Sequence, residues 1–257
     1  MTWQPEYRRI LHRMGYYSYQ DGLIRRHNYQ SEGWLNHERK CREFILEAFD
    51  NIRPSTVTVL GSGWLMELPL AELAERCSLI RLVDIFHPPE VKKQTAAMGN
   101  VELVEDDVSG GIIREVWEKT GKRTFFNRPD TLQSIEIPVY NLPDDTGMLI
   151  SLNILTQLEI LPERLLRRKT GAGEDEFAGF RKSLQQNHLA LLKKFRSVLI
   201  SDSDEIITDR QGNRSERKTM LVSPEQEPAG EWIWDFDVSG YDSSIRKSLF
   251  RVRAFLL

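Results

Sequence analysis

Cysteine is scarce in this chain: its 257 residues include two, Cys41 and Cys77. They stand far apart and form no Cys-x-x-Cys pair, which excludes a zinc ribbon and a redox dithiol as organising features. Both fall in apolar helical patterns, the setting of buried reduced thiols. Long hydrophobic runs are also missing. The longest wholly apolar stretches are a handful of residues, against the roughly 20 that a membrane-spanning helix needs. The opening MTWQPEYRRI has no apolar segment of the kind a secretory signal carries, so a soluble cytoplasmic protein is expected, with no membrane partner. Basic charge is not in excess. The net charge of −3 gives no general attraction to nucleic acid or anionic membrane, and no metal site is expected. Hydrophobic residues at 40% are enough for a sizeable core.

What is present is a rhythm. Thr56–Leu60, Leu79–Val83, Val101–Val104, Met148–Leu152 and Ser197–Ser201 are short apolar runs that read as strands. Between them, Leu65–Arg76, Pro88–Ala97, Ile112–Lys119 and Phe177–Phe195 carry helical spacing. Strands alternating with helices imply βαβ units and a parallel sheet covered on both faces. Glu231–Asp237 and Leu249–Leu257 are strand-like with no long helix between them, which places an antiparallel strand at the C-terminal edge. Residues 120–147, with Phe125, Phe126, Pro129, Pro138 and Pro143, read as an irregular insertion. Residues 203–230, rich in charge, Gly, Ser and Pro, read as an exposed loop.

Residues 1–36 hold five of the seven tyrosines and few aliphatics, with Arg8, Arg9, Arg13, Arg25 and Arg26 interleaved. Such a segment packs on a larger core through amphipathic rings, or acts as a lid giving rings and guanidinium groups to a substrate pocket. His37–Phe49 follows as a helix. The division expected is an N-terminal helical cap over residues 1–50 and a doubly wound α/β domain over residues 51–257.

In open α/β sheets the ligand lies beyond the carboxyl ends of the strands. Gly61, Ser62 and Gly63 follow the first strand, Asp84 the second, Asp106 and Asp107 the third, Asn153 the fourth and Asp202 the fifth. Glycine there lets the backbone approach a ligand. A carboxylate about 20 residues later can accept the hydroxyls of an adenosine ribose, and one ending the third strand can accept from an adenine amino group.

With VTVLGSGWL, LVDIF, VEDDV and LISLNILTQL in this order, residues 55–257 resemble the class I S-adenosylmethionine-dependent methyltransferases, most closely over 56–108. The resemblance implies a mostly parallel seven-stranded sheet with one antiparallel strand near the C-terminus. It also implies a bound S-adenosylmethionine held by Gly61, Ser62, Gly63, Asp84, Ile85, Asp107, Val108 and Asn153. The family's acid two residues before the first glycine is Val59 here, and a third glycine is Leu65; Glu67 is one substitute for the acid. Methyl transfer needs alignment more than a triad. His37 and Asp202 are the candidates for a general base, and Tyr16, Tyr17 and Trp34 for contacts to a small-molecule acceptor. Two other readings stand beside this one. Val59 and Leu65 favour a catalytically silent nucleoside-binding module. A nicotinamide-dependent oxidoreductase would want glycine where Met66 stands. His188, on the apolar stripe of its helix, reads as a core histidine, and Arg164, Arg167, Arg168 and Lys169 as a solvated helix face or, alternatively, an anionic-substrate patch.

Overall fold

Five apolar segments pair in parallel to build the centre of the sheet. They are β1 (Thr56–Leu60), β2 (Leu79–Asp84), β3 (Val101–Glu105), β4 (Met148–Leu152) and β5 (Ser197–Asp209). A computed structural model describes residues 3–121, 131–241 and 246–257; Phe125, Phe126 and Pro129 lie outside the described residues. The remaining strands are β6 (Arg214–Lys218), β7 (Gly230–Asp237) and β8 (Arg246–Leu256). The order is β3-β2-β1-β4-β5-β8-β7, with β6 paired to β5. β8 runs antiparallel to both β5 and β7. The doubly wound, mostly parallel sheet with a reversed strand near the C-terminus is therefore present.

Alternation along the strands loads both faces, as a doubly covered sheet requires. Val57 and Val59 of β1 join Ile80, Leu82, Ile150 and Val198 on one face. That face is covered by Cys41, Ile45, Ala48 and Phe49 of α3 (Ser31–Ile52). Leu60, Val83, Leu149 and Leu199 point the other way, against Leu189, Leu191 and Leu192 of α8 (Glu174–Leu192). Ahead of α3 come α1 (Pro5–Met14) and α2 (Tyr16–Tyr29); α4 (Leu70–Ala74), α5 (Pro89–Thr95), α6 (Ile112–Gly121) and α7 (Ile160–Lys169) complete the helices. Both cysteines are buried free thiols, and burial raises the pKa of each. Among the described residues no helix is long and apolar enough to cross a membrane.

Three expectations need correction. The helix read over Leu65–Arg76 is confined to α4, because Leu65 turns left-handed (φ 63°) and Pro69 stands at the N-cap of α4. The span 203–230 is not all loop: β5 continues to Asp209 and turns through Gly212 (φ 85°) into β6, making the sheet eight-stranded. Finally, the N-terminal segment gives rings but no guanidinium groups to the cavity described below. Arg26 instead lies over the ring of Phe236 and Arg13 over that of Trp117.

Candidate functional site

The chain leaves β1 through Gly61, whose N–H donates to the Val83 carbonyl at 2.9 Å. Gly61 has φ 77°, and a Cβ there would stand 2.8 Å from both Ile154 Cβ and the Leu152 carbonyl. Only glycine lets this corner lie against the end of β4. Gly63 (φ 51°) then donates its N–H to Asp84 Oδ2 at 2.7 Å. Leu65, where the resembled family has a third glycine, keeps the left-handed backbone a glycine would favour.

Parallel pairing of β2 with β3 sets their tips side by side, with Asp84 opposite Glu105. The Asp84 carboxylate also accepts from the Ile85 N–H at 2.7 Å and from Gln20 Nε2 at 3.2 Å. Asp107 accepts from the Tyr7 hydroxyl at 2.9 Å, from the Ser109 N–H at 3.1 Å and from the Ser109 hydroxyl. Burial raises both carboxyl pKa values, and the donated hydrogen bonds oppose that shift. Asp106 accepts from the Tyr140 hydroxyl at 2.8 Å. His87 is also buried, which lowers its pKa, and its Nε2 lies 3.2 Å from the Val104 carbonyl.

Asn153, at the end of β4, is left-handed (φ 51°), and its amide lies 3.0 Å from Nε2 of His37. The ring of His37 is stacked on Trp234 at 3.9 Å, and Trp232 Nε1 donates to His37 Nδ1 at 3.0 Å. An indole N–H only donates, so Nδ1 is the acceptor and Nε2 carries the proton of the neutral ring. The amide orientation that satisfies this proton turns the Asn153 carbonyl to His37 and leaves its NH₂ for the cavity. His37 is fully buried behind Asn153 and does not line the cavity.

These elements line one cavity that opens to solvent at the carboxyl ends of the strands. Of the residues expected at a cofactor, Gly61, Gly63, Asp84, Ile85, Asp107, Val108 and Asn153 line it. Ser62 lies behind the lining with a buried hydroxyl that has no partner. Of the expected acceptor contacts, Tyr16 and Trp34 line the cavity, whereas Tyr17 packs edge-on to Phe86. Asp202 opens onto a neighbouring cavity, where it accepts from the Thr156 hydroxyl. Arg164 and Arg167 of the basic helix face reach the wall of that second cavity. His188 is buried, with Nε2 2.8 Å from Ser151 Oγ.

Tyr7, Gln20, Tyr140 and Trp234 were not expected at this site. Tyr7 and Gln20 arrive from α1 and α2, 100 and 64 residues before their carboxylate partners. The enrichment of residues 1–36 in tyrosine is the only sequence signal that bears on them. Tyr140 comes from the irregular insertion, held where Gly110 leaves room for its backbone.

No protein-family model matches the chain, and no curated protein matches it. Solved structures do. One is a Burkholderia thailandensis 1,6-didemethyltoxoflavin N1-methyltransferase with bound 1,6-didemethyltoxoflavin and S-adenosylhomocysteine. It is 11% identical over 98% of this chain and 91% of its own, with a TM-score of 0.41. Another is the N-methyltransferase NodS from Bradyrhizobium japonicum WM9 with S-adenosylhomocysteine, 11% identical over 84% of this chain and 85% of its own, with a TM-score of 0.35.

Proposed function

We propose that this chain is an S-adenosylmethionine-dependent methyltransferase acting on a small molecule. One observation carries the reading: the Gly61–Gly63 corner and the two strand-tip carboxylates, Asp84 and Asp107, line a single cavity where the strand order reverses at β1. The cavity fits a nucleoside. Asp84 and Asp107 are acceptors for ribose hydroxyls and an adenine amino group, and Gln20 Oε1 is buried without a partner. The Asn153 amide, its carbonyl turned to His37, leaves its NH₂ for the ligand.

Asp84, Asp107 and the N–H groups of the glycine corner would hold the cofactor, with Glu67 on the same wall near its amino end. S-adenosylmethionine supplies an electrophilic methyl group on a sulphonium. The chain then has to orient the acceptor and keep out water. Tyr16, Trp34 and Trp234 give the cavity apolar walls, and His37 fixes the Asn153 amide. Titration calorimetry tests the reading. S-adenosylmethionine and S-adenosylhomocysteine are expected to bind with one site per chain and NAD is not; tighter binding of NAD would overturn it.

A further inference from the structure

The second cavity shares Tyr19, Leu23, Gln157, Ile160 and Trp234 with the first, so the two adjoin. Its walls include Phe236 and Phe250 as well as Trp234, and its polar wall holds two carboxyl groups, Glu159 and Asp202. Both are more than nine-tenths buried, at 4% and 7% exposure. Glu159 stands at the N-cap position of α7 without a capping side-chain bond. A bulge at Ser203, where β5 slips against β8, follows directly on Asp202.

Among the described residues neither carboxyl group forms an ion pair. Three of the arginines on the walls are committed elsewhere, and Arg164 and Lys218 also line the cavity. Arg217 pairs with Glu205 at 2.6 Å and Arg181 with Glu163 at 3.7 Å, while Arg167 pairs with Glu163 at 2.7 Å and also with Glu174. Glu159 Oε1 accepts from Gln185 at 3.1 Å, but Oε2 is buried with no partner, as is Trp234 Nε1. Buried carboxyl groups without a counter-charge are costly unless a ligand completes them. Two of them beside aromatic walls, next to the cofactor cavity, form a receptor for one chemical class.

We propose that this second cavity binds an arylalkylamine as the methyl acceptor, its N–H groups held by the Glu159 and Asp202 carboxyl groups and its ring lying against Trp234, Phe236 and Phe250. The ammonium group would give one proton to a carboxylate, and the freed nitrogen lone pair would form the new N–C bond as the S–C bond of the methyl donor breaks, leaving S-adenosylhomocysteine and a methylammonium product. The identity of the acceptor rests on the methyltransferase reading; the amine site itself does not. Burial and the neighbouring Asp202 push the Glu159 pKa up to about 8, so a cation between the two groups favours their ionised forms. The wall also holds Arg164 and Lys218, so preference for an amine over an anion rests on the two buried carboxyl groups.

Phenethylamine, phenethyl alcohol and hydrocinnamate share a ring and spacer and differ in head group, which makes them suitable probes of the full-length protein by calorimetry. Phenethylamine is expected to bind about tenfold more tightly than the alcohol or more, with hydrocinnamate weakest. Glu159→Gln and Asp202→Asn should each erase that preference, while S-adenosylhomocysteine affinity stays within about threefold. Equal binding of amine and alcohol, or preference for hydrocinnamate, would overturn the proposal. So would an amine preference that survives both substitutions. Failure of S-adenosylhomocysteine to bind while the amine preference holds would instead remove the methyltransferase reading and leave the amine site standing.

Discussion

The N–H of Gly63 donates to the Asp84 carboxylate across 21 residues at 2.7 Å, so the loop after β1 and the tip of β2 are one structure. The carboxylate both shapes the corner and faces the cavity. Gln20, reaching down from α2, takes one of its remaining acceptor positions. Asp84→Asn removes the charge and turns one of the two accepting oxygens into a donor. It should weaken S-adenosylhomocysteine binding by about 1.5–3 kcal/mol, the loss of charge-assisted hydrogen bonds. An unchanged dissociation constant by calorimetry would take Asp84 out of the site.

The two glycines of the corner should respond differently to alanine. At Gly61 a Cβ collides with the Leu152 carbonyl and with Ile154, and backbone must move. At Gly63 the nearest atom is 4.0 Å away, leaving only the left-handed backbone as a penalty. Gly63→Ala should cost about 1–2 kcal/mol, and Gly61→Ala more, roughly 3 kcal/mol or above once overpacking is added. Urea unfolding midpoints of the two variants decide the ranking; the reverse order would contradict this account of the corner.

His188 makes the fold acid-sensitive. Burial lowers its pKa from 6.5 to about 4. The folded imidazole stays neutral while the unfolded one takes a proton below 6.5, so the unfolded state binds more protons between those values. Stability contributed by His188 is complete above pH 6.5 and falls as pH drops toward 4, by roughly 3 kcal/mol in all. His188→Gln keeps a partner for Ser151 but does not titrate. Its urea midpoint should decline less between pH 7 and 4.5 than that of the parent protein.

Glu159 works in the opposite direction. Its pKa rises from 4.5 to about 8, so the folded state binds more protons through that window. The fold loses stability from this group as pH rises from 4.5 through 8. Glu159→Gln should therefore raise stability at pH 8.5 by roughly 2 kcal/mol or more, with little change at pH 4.5. A destabilised variant at pH 8.5 would show that another group compensates the buried charge.

Much of the site could be read from offsets along the chain. Gly61 and Asp84 stand at the ends of consecutive strands, and parallel pairing forces such ends onto one edge of the sheet. The same rule located Asp107 and Asn153. It could not tell that Asp202 faces a different cavity, because the bulge at Ser203 belongs to the register between β5 and β8. Nor could it show His37 behind Asn153, a meeting of side chains 116 residues apart. The left-handed turn at Leu65 was illegible for another reason: leucine rarely adopts it, and the helical pattern of its neighbours spoke for a helix.

Alternation of apolar runs with helical stripes determined the doubly wound sheet and the edge at which the strand-tip residues gather, because each period fixes which side chains can be buried together. Tertiary structure decided which groups meet at that edge. Tyr7 and Gln20 come down from the N-terminal helices, Tyr140 from the insertion, and Glu159 and Asp202 converge on a second cavity. Their meeting depends on how helices and loops pack over the strand ends, and no local periodicity encodes that packing.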